Sequence, residues 1–393
     1  MELPDLIEII SKGEDSRRQF KANVNNVTQL ASEMVAFSNS GGGRILIGVT
    51  DDQMVVGLSS GDVKRVNQLV SNAASQNVRP PINPITENVT HPNGLVMVVT
   101  VPDGAAKPYM DQGGVIWVKT GSDKRPASSR EEIQRMFQQS SLVHGDEIPV
   151  PATGTGDLDF DYFEKFFNEQ PFSAPLNKQE LPLPQLLTNM NLMRDGAVNV
   201  AGMLLFGKSP QYRLPAFVVK AVAFPGDSIE DQQYIDSKDI NGRMSDVFQQ
   251  TLGFLLANTY APQGDQEFNS NGKPEIPRIV WEELIANALI HRDYFITAPV
   301  RILVFIDRVE IISPGHLPNN LTIENVRAGN SNSRNPILAS FATKLLPYRG
   351  LGSGLLRAFR AYPAIELEDD KPGNLFKVIV SRRNNHPNVD HGN

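Results

Sequence analysis

The chain has 393 residues and a mass of 43.3 kDa, which at roughly 100–200 residues per domain predicts two or three domains, each with a core of its own. Hydrophobic residues make up 40% and charged residues 21%, so the composition is that of a folded chain, and a net charge of −7 argues against a protein basic all over that coats nucleic acid. Cysteine is absent, which removes disulfides, Cys-ligated zinc, iron–sulfur clusters and thiol nucleophiles.

The opening stretch MELPDLIEII is acidic where a secretory leader is basic, and no uncharged apolar run nears the ~20 residues of a membrane span. A cytoplasmic chain without membrane contact is expected. Over residues 28–38, Leu30, Ala31, Met34, Val35 and Phe37 recur at helical spacing, and Gly41, Gly42 and Gly43 then break the helix before the apolar run 45–49. Strand-like stretches follow at 54–58, 95–101 and 115–119, and an amphipathic helix at 129–139 closes an α+β unit over 1–140. This unit carries 14 basic and 15 acidic side chains, so a local basic surface is better placed here than in the rest of the chain.

Between 141 and 159 Pro, Gly, Thr and Asp replace any apolar periodicity, which predicts an exposed linker. Beyond it, 160–168 and 179–190 read as helices, 198–206 and 216–224 as strands, and 244–257 as a helix. Together they form an intermediate α+β segment, 160–276, expected to pack on the C-terminal domain. A loop at 261–275 leads to that third block, 277–383. Its expected elements are a helix at 279–290, a paired 300–306 and 309–312, a polar loop 313–335, a helix at 336–346, a glycine turn at 350–354 opening another helix, and a strand at 375–380. Residues 384–393 read as a flexible polar tail.

Within the helix at 279–290, Trp281, Leu284, Ile285, Ala288 and Leu289 form an apolar stripe, while Glu283, Asn287 and His291 recur every four residues on another face. A carboxylate and an amide one turn apart can hold hydrated Mg²⁺ and orient or deprotonate a water; the same spacing also describes an ordinary solvated face. Gly350, Gly352 and Gly354 bring a glycine-rich turn to a helix start, either to expose backbone N–H groups to a phosphate or simply to turn the chain. No histidine pair has a metal-binding helical spacing.

In chain order, EELIANALIHRDY, FIDRVEIISPGHLPNNLT, NSRNPILA and RGLGSGL resemble the GHKL-like ATPase domain at the C-terminus of RecG-related proteins and transcriptional regulators. The resemblance covers 277–383 and, less sharply, GAVNVAGMLLFGKSPQ before it. It implies a GHKL-like α/β sandwich with ATP and Mg²⁺ as cofactors. Glu283 then matches the general base, Asn287 the magnesium-binding amide, and Gly315, Gly350, Gly352 and Gly354 the glycine boxes around the nucleotide. One departure stands out: the stretch Ile311 to Gly315, where the family carries an adenine-binding Asp, holds no acid, which disfavours turnover more than binding.

GEDSRRQFK, AFSNSGGGRILIGVTDD, VVGL, KPYM and IWVKTGSDKRPAS similarly resemble the Schlafen AlbA_2 domain over residues 1–139. The family is associated with nucleic acid, and some members cut RNA with three acids. By position Glu14 matches the first acid and Asp51 the third, whereas the second is Gln19. A metal-dependent nuclease needs its carboxylates, so the domain is expected to bind rather than cut. Arg17, Arg18, Lys21, Lys119, Lys124 and Arg125 are its candidate phosphate contacts.

The expected function is a nucleic-acid-binding transcriptional regulator, with DNA ahead of RNA as partner, a divergent nucleotide-binding domain, and a homodimer as the common state of such regulators. The alternatives are a magnesium-dependent ATPase using Glu283 and Asn287, a residual ribonuclease using Glu14 and Asp51, or a scaffold without ligands.

Overall fold

The structure, a computed structural model, describes every residue except 141, 171–174, 231–232, 260–273, 319–320, 351 and 383–393. The predicted tail and most of the loop 261–275 therefore lie outside the described residues. The fold is mixed α and β, in two compact units, Met1–Val143 and His144–Asn393. No helix among the described residues is long and apolar enough to cross a membrane.

The first unit runs α1 (Leu3–Ser11), β1 (Arg18–Lys21), α2 (Val27–Asn39), β2 (Gly43–Ile47), α3 (Ser60–Asn72), β3 (Val78–Arg79), β4 (Ile85–His91), β5 (Gly94–Val101), β6 (Met110–Asp111), β7 (Trp117–Thr120), β8 (Asp123–Pro126) and α4 (Arg130–Gln139). One sheet has the order β1-β2-β5-β4, with β1 parallel to β2 and the other pairs antiparallel. Successive strand residues face opposite sides, so Ile45, Ile47, Met97 and Val99 pack with α2 and α3. Leu46, Val96 and Val98 instead pack with Phe20 and with Leu6 and Ile10 of α1. Both faces are covered, which is why β2 and β5 read as continuous apolar runs. Asn26 caps α2 by accepting from the N–H groups of Thr28 and Gln29 at 2.9 and 3.1 Å, and every α2 residue from Leu30 to Asn39 is buried. The glycine turn after α2 is a tight packing point. Gly42 has φ 77°, and a side chain on it would meet the backbone of Asp103 at 2.7 Å.

The second unit holds α5 (Phe160–Asn168), α6 (Leu183–Asn189), β9 (Met193–Arg194), β10 (Ala197–Val198), α7 (Val200–Phe206), β11 (Val219–Ala223), β12 (Asp236–Ile240), α8 (Met244–Asn258), α9 (Arg278–His291), β13 (Val300–Val304), β14 (Arg308–Pro314), α10 (Ile323–Arg327), α11 (Pro336–Leu345), α12 (Gly354–Ala361), β15 (Ile365–Asp370) and β16 (Leu375–Ser381). Its six-stranded sheet is ordered β12-β11-β13-β14-β16-β15; β11 and β13 run parallel and the remaining neighbours antiparallel. Val219, Ala221, Val300, Ile302, Val309, Ile311 and Val380 point to the face that joins the main core, where α9 packs against α8, α12 and β14.

Several expectations are corrected. The predicted strand 198–206 is instead helix α7, started by Asn199 accepting from Gly202 N–H at 2.8 Å. All its residues are buried, so it lacks the polar face that marks a helix in sequence. The helix expected over 179–190 is confined to α6, after a tight turn at Leu176–Lys178. Residues 54–58 make only isolated bridges, Val49 with Val55 and Leu58 with Leu95. The segment read as an exposed linker is packed in its second half: Asp146 is fully buried, and Val150 and Leu158 join the core. Asp146 accepts from Leu338 N–H of α11 at 2.9 Å, a long-range contact that composition does not reveal. The polar loop 313–335 contains α10, and α1, α3, β1, β4 and β15 were not anticipated.

Candidate functional site

The second unit contains a cleft walled by α9, the ends of β14 and β16, the segment after β14, and the glycine turn before α12. About 990 Å³ lies between its walls, the solvent at its mouth included, a size suited to a small-molecule ligand. Helix α9 delivers Glu283, Asn287 and His291 to the same cleft, as their four-residue spacing predicts. Ser313, Gly315, Gly350, Gly352 and Gly354 line it as well.

Glu283 is only 1% exposed. Its Oε1 accepts from Nε of Arg357 at 2.8 Å and also from Nη2 of the same guanidinium. Its Oε2 is buried without a hydrogen-bond partner and lies against Gly354, where any side chain would collide with it. Gly354 is thus required by the carboxylate, a close approach that only glycine permits. Asn287 donates from Nδ2 to the Glu283 carbonyl at 2.7 Å, leaving its Oδ1 as an oxygen donor. His291 Nε2 stands 3.1 Å from the Tyr348 hydroxyl; burial, helped by the nearby Arg334 cation, pushes its pKa down to about 4 and keeps the ring neutral at pH 7.

At Gly315, which has φ 95°, Arg334 and Asp293 close in from the other side. Arg334 donates to the His316 carbonyl and lies 3.6 Å from Asp293, while Asn335 pins the end of α9 by donating to the carbonyls of Ile290 and Arg292, each at 2.8 Å. Among the described lining residues the charged side chains are Arg334, Arg349 and Arg357 against Glu283, a cationic balance suited to an anion. Sequence reasoning missed Arg334, Arg357 and Tyr348. Arg334 lies inside the motif NSRNPILA, and Arg357 follows the glycine turn by one helical turn, a placement that could have flagged it.

In the first unit Glu14 and Gln19 come together: Oε1 of Glu14 accepts from Gln19 Nε2 at 2.7 Å and from Phe20 N–H at 2.6 Å. Gln19 Oε1 in turn accepts from Lys119 Nζ at 2.8 Å. Asp51 sits exposed in the turn between Thr50 and Met54 and shares no hydrogen bond with either Glu14 or Gln19. Among the described residues no three His, Asp or Glu side chains converge on a metal position. The charge at this cluster is the ammonium of Lys119, which also donates to the Ser122 carbonyl and lies 4.9 Å above the Phe37 ring.

That position corrects the reading of Lys119 as a phosphate contact, because its side chain is 1% exposed and its donors are spent inside. Burial lowers its pKa, opposed by Glu33 and Glu14. Lys124 is tied to Glu33 at 2.7 Å and Arg125 grips Glu132 through two bonds of 3.0 and 2.9 Å. Arg18 pairs with Asp15 at 2.6 Å, and the exposed Arg17 donates to the Gly41 carbonyl. Lys21 has no charged partner among the described residues. One cation was overlooked: Arg44 is exposed, makes no ion pair among the described residues, and is set beside Arg18 by the parallel pairing of β1 with β2. A charged residue opening an apolar strand was the available signal.

Residues 14–128 match the family model described as "Schlafen, AlbA_2", and residues 297–379 the one described as "Putative ATP-dependent DNA helicase recG C-terminal". The first match spans Glu14, Asp51 and all six candidate cations. The second takes in Gly315, Gly350, Gly352 and Gly354 but begins after α9, so Glu283 and Asn287 fall outside it. No curated protein matches the chain. Similar solved structures include the DIP2311 protein from Corynebacterium diphtheriae, at 21% identity over 97% of this chain and 80% of that one, with a TM-score of 0.44. Another is the N-terminal domain of a "Putative ATP-dependent DNA Helicase RecG-related Protein" from Nitrosomonas europaea, at 20% identity over 33% of this chain and 96% of that one, with a TM-score of 0.24. The chain therefore joins an N-terminal Schlafen AlbA_2 domain to a C-terminal domain of the RecG C-terminal family.

Proposed function

We propose that this is a nucleic-acid-associated regulator whose C-terminal cleft binds a nucleoside polyphosphate and does not turn it over rapidly. The observation that carries the reading is the buried pair Glu283–Arg357. A general base must reach the proton it removes, and here one carboxylate oxygen is held by a guanidinium while the other is walled by Gly354. The same guanidinium, with Arg334, Arg349 and the start of α12, supports an anionic ligand. ATP is the first member of the class to try. Mg²⁺ would arrive on the ligand's phosphates, with Asn287 Oδ1 as the oxygen to meet it.

The nucleic-acid surface of the first domain is, in this reading, the edge formed by Arg17, Arg18, Lys21 and Arg44 beside the glycine turn, with DNA as the first target. Fluorescence anisotropy with labelled DNA at two salt concentrations tests it, and binding that ignores salt would count against it. For the cleft, a fluorescent nucleotide should bind while phosphate release stays at the level of a folded Glu283→Gln variant. Wild-type release that collapses in that variant would instead establish a hydrolase.

A further inference from the structure

We infer that the wall formed by Ser313, Gly315 and Arg334 selects a 6-oxopurine ring, guanine or hypoxanthine, over adenine; this rests on the nucleotide reading above. Arg334 lines the cleft, and its five donors are unevenly used. Nη2 reaches the His316 carbonyl, Nη1 faces Asp293 at 3.6 Å, and Nε is buried with no partner. A buried N–H without an acceptor carries an uncompensated desolvation cost, which a ligand acceptor would relieve.

The neighbours offer no competing carboxylate. Asp293 faces the guanidinium, its Oδ1 takes Phe295 N–H at 2.9 Å, and it is not part of the cleft lining. Ser313 contributes a hydroxyl whose protein contact, the Ala288 carbonyl, is a long 3.5 Å away. Leu284, Ala288, Ile311 and Phe376 supply apolar surface for a flat ring. Adenine's exocyclic amine would set donor against donor at this wall. A 6-oxopurine presents a carbonyl oxygen beside the N7 lone pair, the edge that arginine reads in guanine. Discrimination of about tenfold or more follows from a charged donor that only one ring satisfies.

The test uses the full chain and an N-methylanthraniloyl derivative of GDP, displaced by unlabelled GDP, IDP and ADP. GDP and IDP should each compete about tenfold better than ADP, and Ser313→Asp, which places an acceptor at the wall, should move the preference toward ADP. ADP competing as well as GDP in the wild type overturns the inference while leaving the nucleotide reading intact. IDP as weak as ADP overturns it too, because the 2-amino group would then be what is read. If no probe or competitor binds, the nucleotide reading fails and takes this inference with it.

Discussion

Arg357, in the first turn of α12, donates to Oε1 of Glu283 on α9 from 74 residues away, and this pair joins the two helices that flank the cleft. Replacing Arg357 by Ala strands a carboxylate that is 1% exposed, an expected cost of about 2–4 kcal/mol. Glu283→Gln leaves the partly exposed guanidinium able to reach water and should cost about 1 kcal/mol. In urea unfolding, the double variant should then be clearly more stable than the sum of the single losses implies. Strict additivity would show that the pair contributes nothing as a pair.

Two cations of the first domain should behave in opposite ways. Arg44→Ala touches an exposed side chain outside any ion pair described, so stability should change by less than about 0.5 kcal/mol while the dependence of DNA affinity on salt becomes shallower by about one charge. Lys119→Ala removes the partner of Gln19 and Glu33 inside the fold and should cost about 2–3 kcal/mol. A Lys119 variant that stays fully stable and merely loses DNA would place this residue back on the surface.

Asp146 is buried beside the start of α11, and burial pushes its pKa up to about 6 from 3.8, against the Leu338 N–H bond that favours the anion. A raised carboxyl pKa stabilises the fold in its protonated form. Its contribution is therefore present below pH 4, declines between pH 4 and 6, and is gone above 6, a swing of roughly 2–3 kcal/mol. Asp146→Asn keeps an acceptor for Leu338 without the charge and should raise Tm at pH 7.5 but not at pH 4. Equal Tm values at pH 7.5 would mean the carboxylate is better solvated than its burial indicates.

His291 has the opposite sign of pKa shift. With a folded pKa of about 4 against 6.5 unfolded, its neutral form carries full stability above pH 6.5, and that stability is lost as pH falls from 6.5 toward 4. Nuclear magnetic resonance titration of the ring should show no protonation down to pH 5. A His291 resonance titrating near pH 6.5 would show that neither burial nor Arg334 reaches it.

The order of the motifs, the two-family architecture and the face of α9 bearing Glu283, Asn287 and His291 were all legible in the amino-acid sequence, because periodicity and glycine placement act within a few residues. The same short reach explains the failures. Helix α7 is apolar on every side and so carries no amphipathic signature, and the segment around Asp146 looks like a linker until α11 closes over it. Tertiary structure alone decided that Arg357 meets Glu283, that Arg334 stands beside Gly315, and that Lys119 is drawn inward to Gln19 across 100 residues of chain. A charge's identity is local, but its burial and its partner depend on which distant segments fold against it, and these decide whether it is a ligand contact or part of the core.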